Sequence, residues 1–317
     1  MLRPDRLRGP VTATASDIDR INRVFSEAFT DRYQRDGMSG VRVPSLNPAI
    51  WRFALAAAGD GAMVWLDKAN ELVAFNMVHR SGAEGWMGPL AVRPGRQGEG
   101  IGGLIVRAGV ERLQAGGARI IGLETMPRTV ENIGFYSRLG FRPGHLTVSM
   151  ARELEGPGQD RGALLLSAEH NGRLRDCVDL TERLAPGVDF STELRLTLET
   201  RLGDATLIAE RGEPVAFALW HSTPLAEGRA ADELRVLKLA ANNLGAFRRL
   251  LEALEASAWK SHARRIAIRC QTAYREAYGA LLDAGYRVHW TDLRMTLDGN
   301  AEEIARDGGV VFSNWEI

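Results

Sequence analysis

The 317-residue chain has few cysteines, no excess of either charge and no long apolar segment. Its two cysteines, Cys177 and Cys270, are too few for a disulfide framework or a metal cluster and are typical of small buried residues in a reducing compartment. The 40 basic and 40 acidic residues cancel, so no overall field favours nucleic acid or an anionic membrane. No run of about 18 apolar residues occurs, and residues 1–10 lack the apolar core of a signal peptide. We therefore expect a cytoplasmic protein with no metal, no nucleic-acid partner and no membrane span.

The chain length suits two domains of ordinary size. In the first half, helical periodicity and short β-branched runs predict the order helix, hairpin, strand, helix, strand, helix, strand. This order indicates an α/β protein of the α+β kind with a mixed sheet. The polar segment "EGPGQDRGA" predicts a linker at residues 155–163, between domains at residues 1–154 and 164–317.

The second half of the sequence repeats the first. "ELVAFNMVHRS" from Glu71 is answered by "EPVAFALWHS" from Glu213, and Gly140-Phe141 is answered by Gly285-Tyr286. Because the offsets of 142 and 145 residues differ by only three, the pattern indicates a duplication. One segment is not repeated: "AVRPGRQGEGIGG" of the first copy is replaced by "KLAANNLGAFRR" in the second.

The unrepeated segment "VRPGRQGEGIGG", residues 92–103, holds five glycines between a predicted strand and a predicted helix. It lacks the lysine and the hydroxyl of a P-loop, and the order of elements lacks the βαβ start of a dinucleotide site. The first amides of a helix have no intrahelical partner, and glycines let them approach an anion closely. The segment therefore predicts a pyrophosphate site, with Arg93 and Arg96 adding charge at its rim.

Residues 11–152 resemble the GNAT superfamily of N-acetyltransferases, which bind acetyl-CoA. The resemblance lies in three segments: "GPLAVRPGRQGEGIGGLIV", "IIGLETM" and "NIGFYSRLGF". The tandem layout, and the layout alone, is similar to that of mycothiol synthases. The resemblance implies two tandem GNAT-like domains, the second degenerate, with acetyl-CoA bound by the first. It also implies transfer of the acetyl group to a primary amine by direct attack in a ternary complex, without a metal.

The resemblance also implies roles for individual residues. The amide of Leu90 would polarise the thioester carbonyl, and Tyr136 would protonate the departing thiolate. Glu124 is the implied base and His79 its rival. Asn132 would bond the pantetheine arm, although the family's usual asparagine position falls at Thr129 in this sequence. The residues implied to bind acetyl-CoA are Leu90, Ala91, Val92, Gln97, Gly98, Glu99, Gly100, Ile101, Gly102, Gly103, Asn132 and Tyr136.

The second copy has Leu281 where the first has Tyr136, and Asn242-Asn243 where the first has glycines. We therefore expect it to bind CoA poorly and to complete the acceptor pocket, to pair its sheet with the first domain, or to stabilise the chain. Two other functions stay open: a non-catalytic acyl-CoA-binding module, and acylation of a small thiol-cofactor precursor amine. The acceptor is expected to be a small-molecule or peptide amine, in a pocket that includes residues 29–40. The chain is expected to be a monomer that forms an intramolecular pseudo-dimer, or a homodimer.

Overall fold

The computed structural model describes residues 7–167 and 172–314, so the predicted outer domain limits at residues 1 and 317 lie outside the described residues. The first half contains six strands and four α-helices within these ranges. In chain order they are β1 (Arg8–Thr12), α1 (Ile18–Arg35), α2 (Pro48–Ala58), β2 (Ala62–Leu66), β3 (Leu72–Ser81), β4 (Glu84–Val92), α3 (Ile101–Ala115), β5 (Ile120–Thr125), α4 (Val130–Arg138) and β6 (Phe141–Glu153).

The second half repeats this order and adds one strand at its end. Its elements are β7 (Leu164–Leu165), α5 (Leu174–Leu184), α6 (Ser191–Thr200), β8 (Gly203–Glu210), β9 (Glu213–His221), β10 (Glu233–Ala241), α7 (Leu244–Lys260), β11 (Arg265–Gln271), α8 (Arg275–Asp283), β12 (Arg287–Leu297) and β13 (Val310–Ser313). Helices α4 and α8 are both nine residues long and start 145 residues apart, which is the offset expected from the sequence. The duplication is therefore structural as well as sequential.

All 13 strands of the described chain belong to one mixed sheet, and the two halves exchange strands β6 and β12 within it. The order is β1-β2-β3-β4-β5-β12-β6-β11-β10-β9-β8-β7, with β13 against β10. Strand β12 of the second half pairs with β5 of the first, and β6 of the first half pairs with β11 of the second. Each half thus completes the sheet of the other.

Helices cover both faces of the sheet. Along β2, Val64 and Leu66 face the cluster packed by α1 and α2, whereas Met63 and Trp65 face the cluster packed by α3 and α4. This is the alternation expected of a strand that is buried on both faces. Residues 155–163, all of them described, contain neither helix nor strand. The division of the chain at that segment stays a prediction.

The sequence did not indicate β1 and α2, their counterparts β7 and α6 in the second half, or the last strand β13. Strand β1 ends at Thr12, and helix α1 begins at Ile18 after a short 3₁₀ turn. The side chains of Thr14 and Asp17 form a capping box around this turn. None of the helices in the described part of the chain is both long enough and apolar enough to cross a membrane.

Candidate active site

Strand β4 runs beside β5 for only half of its length. Its first residues pair in parallel with β5 from Glu84 to Met87, and the pairing ends where Met87 meets Leu123. Just beyond, the register between β3 and β4 shifts at Gly88 and Pro89. A bulge of this kind bends a strand. We call the space between residues 88–92 and residues 124–125 the β4–β5 gap.

Backbone groups of β4 point into this gap. The Arg93 amide donates to the carbonyl of Val73 at 2.8 Å, so Arg93 bonds towards β3. Because hydrogen-bonding direction alternates along an antiparallel pair, Leu90 and Val92 direct their amides and carbonyls away from β3 and towards the gap. The edge of β4 therefore offers peptide groups to a ligand at Leu90 and Val92.

The glycine segment connects this free edge to helix α3. Gly98 and Gly100 both adopt φ +83°, and a Cβ added to either would meet nothing within 4 Å. The left-handed backbone, rather than lack of space, therefore requires glycine there. At Gly102 space is the constraint, since a Cβ would lie 3.2 Å from the ring of Phe135. Gln97 Nε2 donates to the Val92 carbonyl at 3.1 Å and ties the segment to β4.

Helix α3 begins with an open N-terminus. Its N-cap is Gly100, which has no side chain to accept a hydrogen bond, and the first residue of the helix is Ile101. The amides of residues 101–103 therefore remain available to an anion at the positive end of the helix dipole. The predicted rim cations have acidic partners: Arg96 pairs with Glu99 at 2.8 Å, and Arg93 lies 3.6 Å from Glu71.

Tyr136 on α4 is buried beside these elements. It shares one apolar cluster with Ile101 and the partly buried Leu90. Its ring centroid lies 5.0 Å from that of Phe135 and 6.2 Å from that of Phe141. Burial raises the pKa of Tyr136 to about 12, so the phenol is protonated at neutral pH.

Asn132, one turn before Tyr136, donates from Nδ2 to Thr125 Oγ1 at 3.3 Å and so connects α4 to the end of β5. Thr129, at the usual asparagine position, is buried and donates to Asp36 Oδ2 at 2.5 Å. It therefore joins α4 to the end of α1.

Glu124 is the first residue of β5 beyond its pairing with β4, and two arginines of the second half hold its carboxylate. Arg294 Nη1 donates to Oε1 at 2.6 Å, and Arg269 Nη2 donates to Oε2. Thr147 Oγ1 also donates to Oε1 at 2.5 Å. Burial alone would raise the pKa of Glu124, but the two guanidinium groups and the hydroxyl lower it below its usual value. The carboxylate is ionised at neutral pH and holds a proton weakly.

His79 lies on β3 and is buried. Burial, and then the charge of Lys238, lower the pKa of His79 well below its usual range, although a hydrogen bond with the backbone of Gly88 opposes this. The imidazole is therefore neutral at neutral pH.

A cavity of about 230 Å³ opens between α1 and β4, directly beside Glu124, and we call it the α1 cavity. Its walls come from both halves of the chain: Phe25, Phe29, Leu46, Trp86, Met87, Gly88, Pro89, Glu124, Leu225 and Arg294. Within the described residues, no group of three or more His, Cys, Asp or Glu side chains is arranged to hold a metal ion.

Comparison with known proteins finds one family that matches part of the chain. Residues 20–141 match the acetyltransferase (GNAT) family, and the matched segment contains the β4–β5 gap, the glycine segment and Tyr136. The match covers less than half of the chain and lies entirely within its first half. No curated protein matches the sequence. Members of the superfamily transfer acyl groups from acyl-CoA to an acceptor.

Solved structures share the fold of this chain at low sequence identity. A proposed acetyltransferase from Pyrococcus horikoshii is 17% identical with a TM-score of 0.65, and the match covers 98% of this chain and 95% of that one. A tandem GNAT protein from the clavulanic acid biosynthesis pathway is 13% identical, with a TM-score of 0.57 over 94% and 100% of the two chains. N-myristoyltransferase from Saccharomyces cerevisiae, solved with myristoyl-CoA, is 12% identical, with a TM-score of 0.65 over 98% and 85%.

The second GNAT half has the same strand divergence, but its own C-terminal strand fills it. Strands β10 and β11 pair in parallel only up to Val236 and Ile268, which are the counterparts of Met87 and Leu123. Beyond that point β13 pairs with β10, with Ser313 opposite Lys238 at one end. The space that corresponds to the β4–β5 gap is therefore occupied by backbone.

The helix that follows β10 is also closed at its N-terminus. Asn243 is the N-cap of α7, and its Oδ1 accepts a hydrogen bond from the amide of Ala246 at 2.9 Å. Ala246 is the third residue of α7, as Gly103 is of α3. The amide of this third residue is therefore bonded to the N-cap side chain in the second half, whereas in the first half it stays available.

The structure brings together the predicted residues of β4, the glycine segment, α4 and Glu124, and it adds several that sequence reasoning missed. Phe29 lay within the stretch expected to form the acceptor pocket, but Arg269, Arg294 and Leu225 were not anticipated. An arginine inside an otherwise apolar strand, as in "RIAIRCQ" and "TDLRMTL", is the one sequence signal that could have indicated the first two.

Proposed function

We propose that this protein is an acetyl-CoA-dependent N-acetyltransferase with one active site, built on its first GNAT half. The observation that carries the proposal is the β4–β5 gap, where a free strand edge leads directly into an open helix N-terminus. An extended amide-bearing arm can pair with the strand edge, and a pyrophosphate can bind the helix amides. Acetyl-CoA contains both groups in that order.

The residues of the site fit such a cosubstrate. The peptide groups of Leu90 and Val92 would pair with the pantetheine arm, while the amides of residues 97–103 would hold the pyrophosphate. Gly98 and Gly100 present these amides without a side chain in front of them. Asn132 would contribute a side-chain hydrogen bond from α4.

The proposed chemistry joins the amine nitrogen to the acyl carbon and breaks the thioester C–S bond, with one proton passing in net terms from nitrogen to sulfur. The Leu90 amide stabilises the developing oxyanion, and a preorganised donor of this kind contributes about 3–4 kcal/mol. The protonated phenol of Tyr136 donates to the sulfur as it leaves. Glu124 accepts a hydrogen bond from the amine or from a water beside it. Because its pKa is lowered, the carboxylate is better suited to orient the amine than to take up its proton.

The second half serves the site without binding cosubstrate. It supplies Arg269 and Arg294 to Glu124 and Leu225 to the α1 cavity. Calorimetric titration with acetyl-CoA, followed by an assay of thiol release with a panel of primary amines, tests the function. Absence of acetyl-CoA binding would contradict the proposal. Binding with thioester hydrolysis, but without any accepted amine, would favour the non-catalytic alternative.

One acetyl-CoA should bind per chain. The second cleft is filled by β13, and α7 is capped by Asn243. Within residues 7–167 and 172–314, a free strand edge beside an open helix end therefore occurs in the first half and not in the second. Calorimetry should give a stoichiometry near one. A second site of comparable affinity would show that β13 leaves its place readily.

Gly100→Ala should weaken acetyl-CoA binding by about tenfold, because a left-handed backbone costs an alanine roughly 1–2 kcal/mol and the N-terminal turn of α3 would shift to relieve it. Gly95→Ala is the matched control: it lies in the same segment, has no positive φ and has open space around its Cβ. Calorimetric affinities of the two variants check the prediction. Equal affinities would mean that the conformation of Gly100 is not needed for binding.

A further inference from the structure

The α1 cavity lies where an acceptor must lie for the proposed reaction. Gly88 and Pro89, which line it, are the residues at which β4 leaves β5. Glu124, also in its wall, is the first β5 residue beyond the pairing. The cavity thus meets the narrow end of the β4–β5 gap, two residues from the Leu90 amide.

Most of the cavity wall is apolar. Phe25 and Phe29 stand one turn apart on α1 with ring centroids 4.6 Å apart, and Met87 and Leu225 face the same space. Trp86 is covered by the guanidinium of Arg294, whose Cζ lies 3.9 Å from the ring centroid. A substrate body in this cavity would contact rings and aliphatic chains.

Two charged residues, Arg294 and Glu124, line the cavity, and they differ in the hydrogen-bonding capacity that they have left for a ligand. Every N–H of Arg294 is engaged: Nε and Nη2 bond Glu302, Nη1 bonds Glu124 and Thr147, and Nη2 also reaches the Ser313 carbonyl. Glu124 has three donors for its four lone-pair directions and keeps acceptor capacity on Oε2. The cavity therefore offers an acceptor of hydrogen bonds, and Arg294 offers no further donor.

The carboxylate of Glu124 belongs to an ionic network behind the cavity. Arg269 pairs with Glu124 and Asp292, and Arg294 pairs with Glu124 and Glu302. A ligand nitrogen that donates a hydrogen bond would find an acceptor in Glu124. A ligand carboxylate would lie beside Glu124 and would find no free donor on Arg294.

We propose that the acceptor is a primary monoamine on a compact apolar or aromatic body, with its nitrogen bound by Glu124 and its body held by Phe25, Phe29, Met87 and Leu225. The inference rests on the proposed function and names its substrate class. A dry apolar cavity of about 150 Å³ holds benzene. A cavity of about 230 Å³ therefore accommodates one ring with a short aminoalkyl chain.

Other amine classes fit less well. An amino acid would place a carboxylate beside Glu124, where Arg294 has no free donor for it. A diamine would bury a second ammonium away from Glu124, and an amino sugar would desolvate several hydroxyl groups against an apolar wall. Each of these leaves a buried charge or polar group without a partner.

The test compares 2-phenylethylamine with phenylalanine, 1,4-diaminobutane and glucosamine as acceptors, with acetyl-CoA as donor and thiol release as readout. We expect kcat/KM for 2-phenylethylamine to exceed that for phenylalanine, which differs only by the carboxylate, by at least about 100-fold. Preferred use of any of the other three amines, or no turnover of 2-phenylethylamine while acetyl-CoA binds, would overturn the inference. Failure of acetyl-CoA to bind would instead overturn the proposed function.

Two variants test the assigned contacts. Glu124→Gln keeps the size of the side chain and removes its charge, so the ratio of kcat/KM between 2-phenylethylamine and phenylalanine should shrink by about tenfold. Any effect on the chemical step cancels in that ratio. Phe29→Ala, a change in a partly buried wall residue, should raise the amine KM by about tenfold and leave the acetyl-CoA KM unchanged. An unchanged ratio and an unchanged amine KM would place the acceptor elsewhere.

Discussion

Tyr136→Phe should lower kcat by about 100-fold or more and leave the affinity for acetyl-CoA nearly unchanged. General acid catalysis by a positioned side chain contributes roughly 10²–10⁴-fold, and the substitution removes only the hydroxyl that would donate to the sulfur. The ring contacts with Phe135 and Phe141 are kept, so packing around the glycine segment should survive. Steady-state kinetics together with calorimetric acetyl-CoA titration separate the two effects.

Tyr286→Phe is the matched control. Tyr286 is buried in the second half at the position corresponding to Phe141. Its substitution by Phe removes one hydroxyl from a buried ring, as Tyr136→Phe does. Its kcat should equal that of the unsubstituted protein. If Tyr136→Phe kept full turnover, or if both variants lost it equally, the phenol of Tyr136 would have no part in the chemistry.

The first half was largely predictable because its signals are local. A strand, a glycine turn and a helix follow one another in residues 84–115. The left-handed backbone at Gly98 and Gly100 favours glycine, so the sequence itself marks these positions. Tyr136 lies in the next helix, at a position along the chain that matches the tyrosine of the family. Local order and short-range spacing therefore carried the prediction of the fold class, the hairpin, the glycine turn and α4.

The features that escaped prediction depend on pairing between distant segments. Nothing in the periodicity of β6 or β12 shows that the two strands exchange halves, because an apolar strand fits either sheet. The same holds for β13, whose four residues fill the second cleft only because β10 and β11 diverge there. Leu281 and Asn243 indicated that the second copy is degenerate, but they could not indicate what lies in its cleft.

Glu124 shows how far a local pattern can go. The family resemblance implied a base at this position, but the chemistry of Glu124 is set by Arg269 and Arg294, which lie 145 and 170 residues away. These two partners lower the pKa of the carboxylate against the effect of burial. Because an ionised carboxylate keeps its hydrogen-bonding capacity while holding protons weakly, the residue suits recognition of an amine. Whether it also accepts the proton stays a prediction.

The exchange of strands also buries charges between the two halves. Lys238 of β10 lies 3.7 Å from Glu193 of α6, and its Nζ also approaches Ser81 and Ser313 at 3.4 and 3.3 Å. The ammonium stands over the ring of Phe190, 4.9 Å from the centroid. Burial lowers the pKa of Lys238, with the carboxylate of Glu193 opposing the shift. Both members of this buried ion pair belong to the second half. The pair contacts the first half through Ser81, whose hydroxyl donates to Glu193.

Lys238→Met should lower the free energy of unfolding by about 3–5 kcal/mol, since removing one partner leaves the other charge buried and unpaired. Lys260→Met is the control, because Lys260 pairs with Asp160 on the exposed surface and such pairs contribute about 0–1 kcal/mol. Adding Glu193→Gln to Lys238→Met removes the unpaired charge, keeps an acceptor for Ser81 and should recover most of the loss. Urea denaturation of the four proteins measures these differences. Equal costs for the two lysine variants would mean that the charge of Lys238 is solvated rather than buried between the halves.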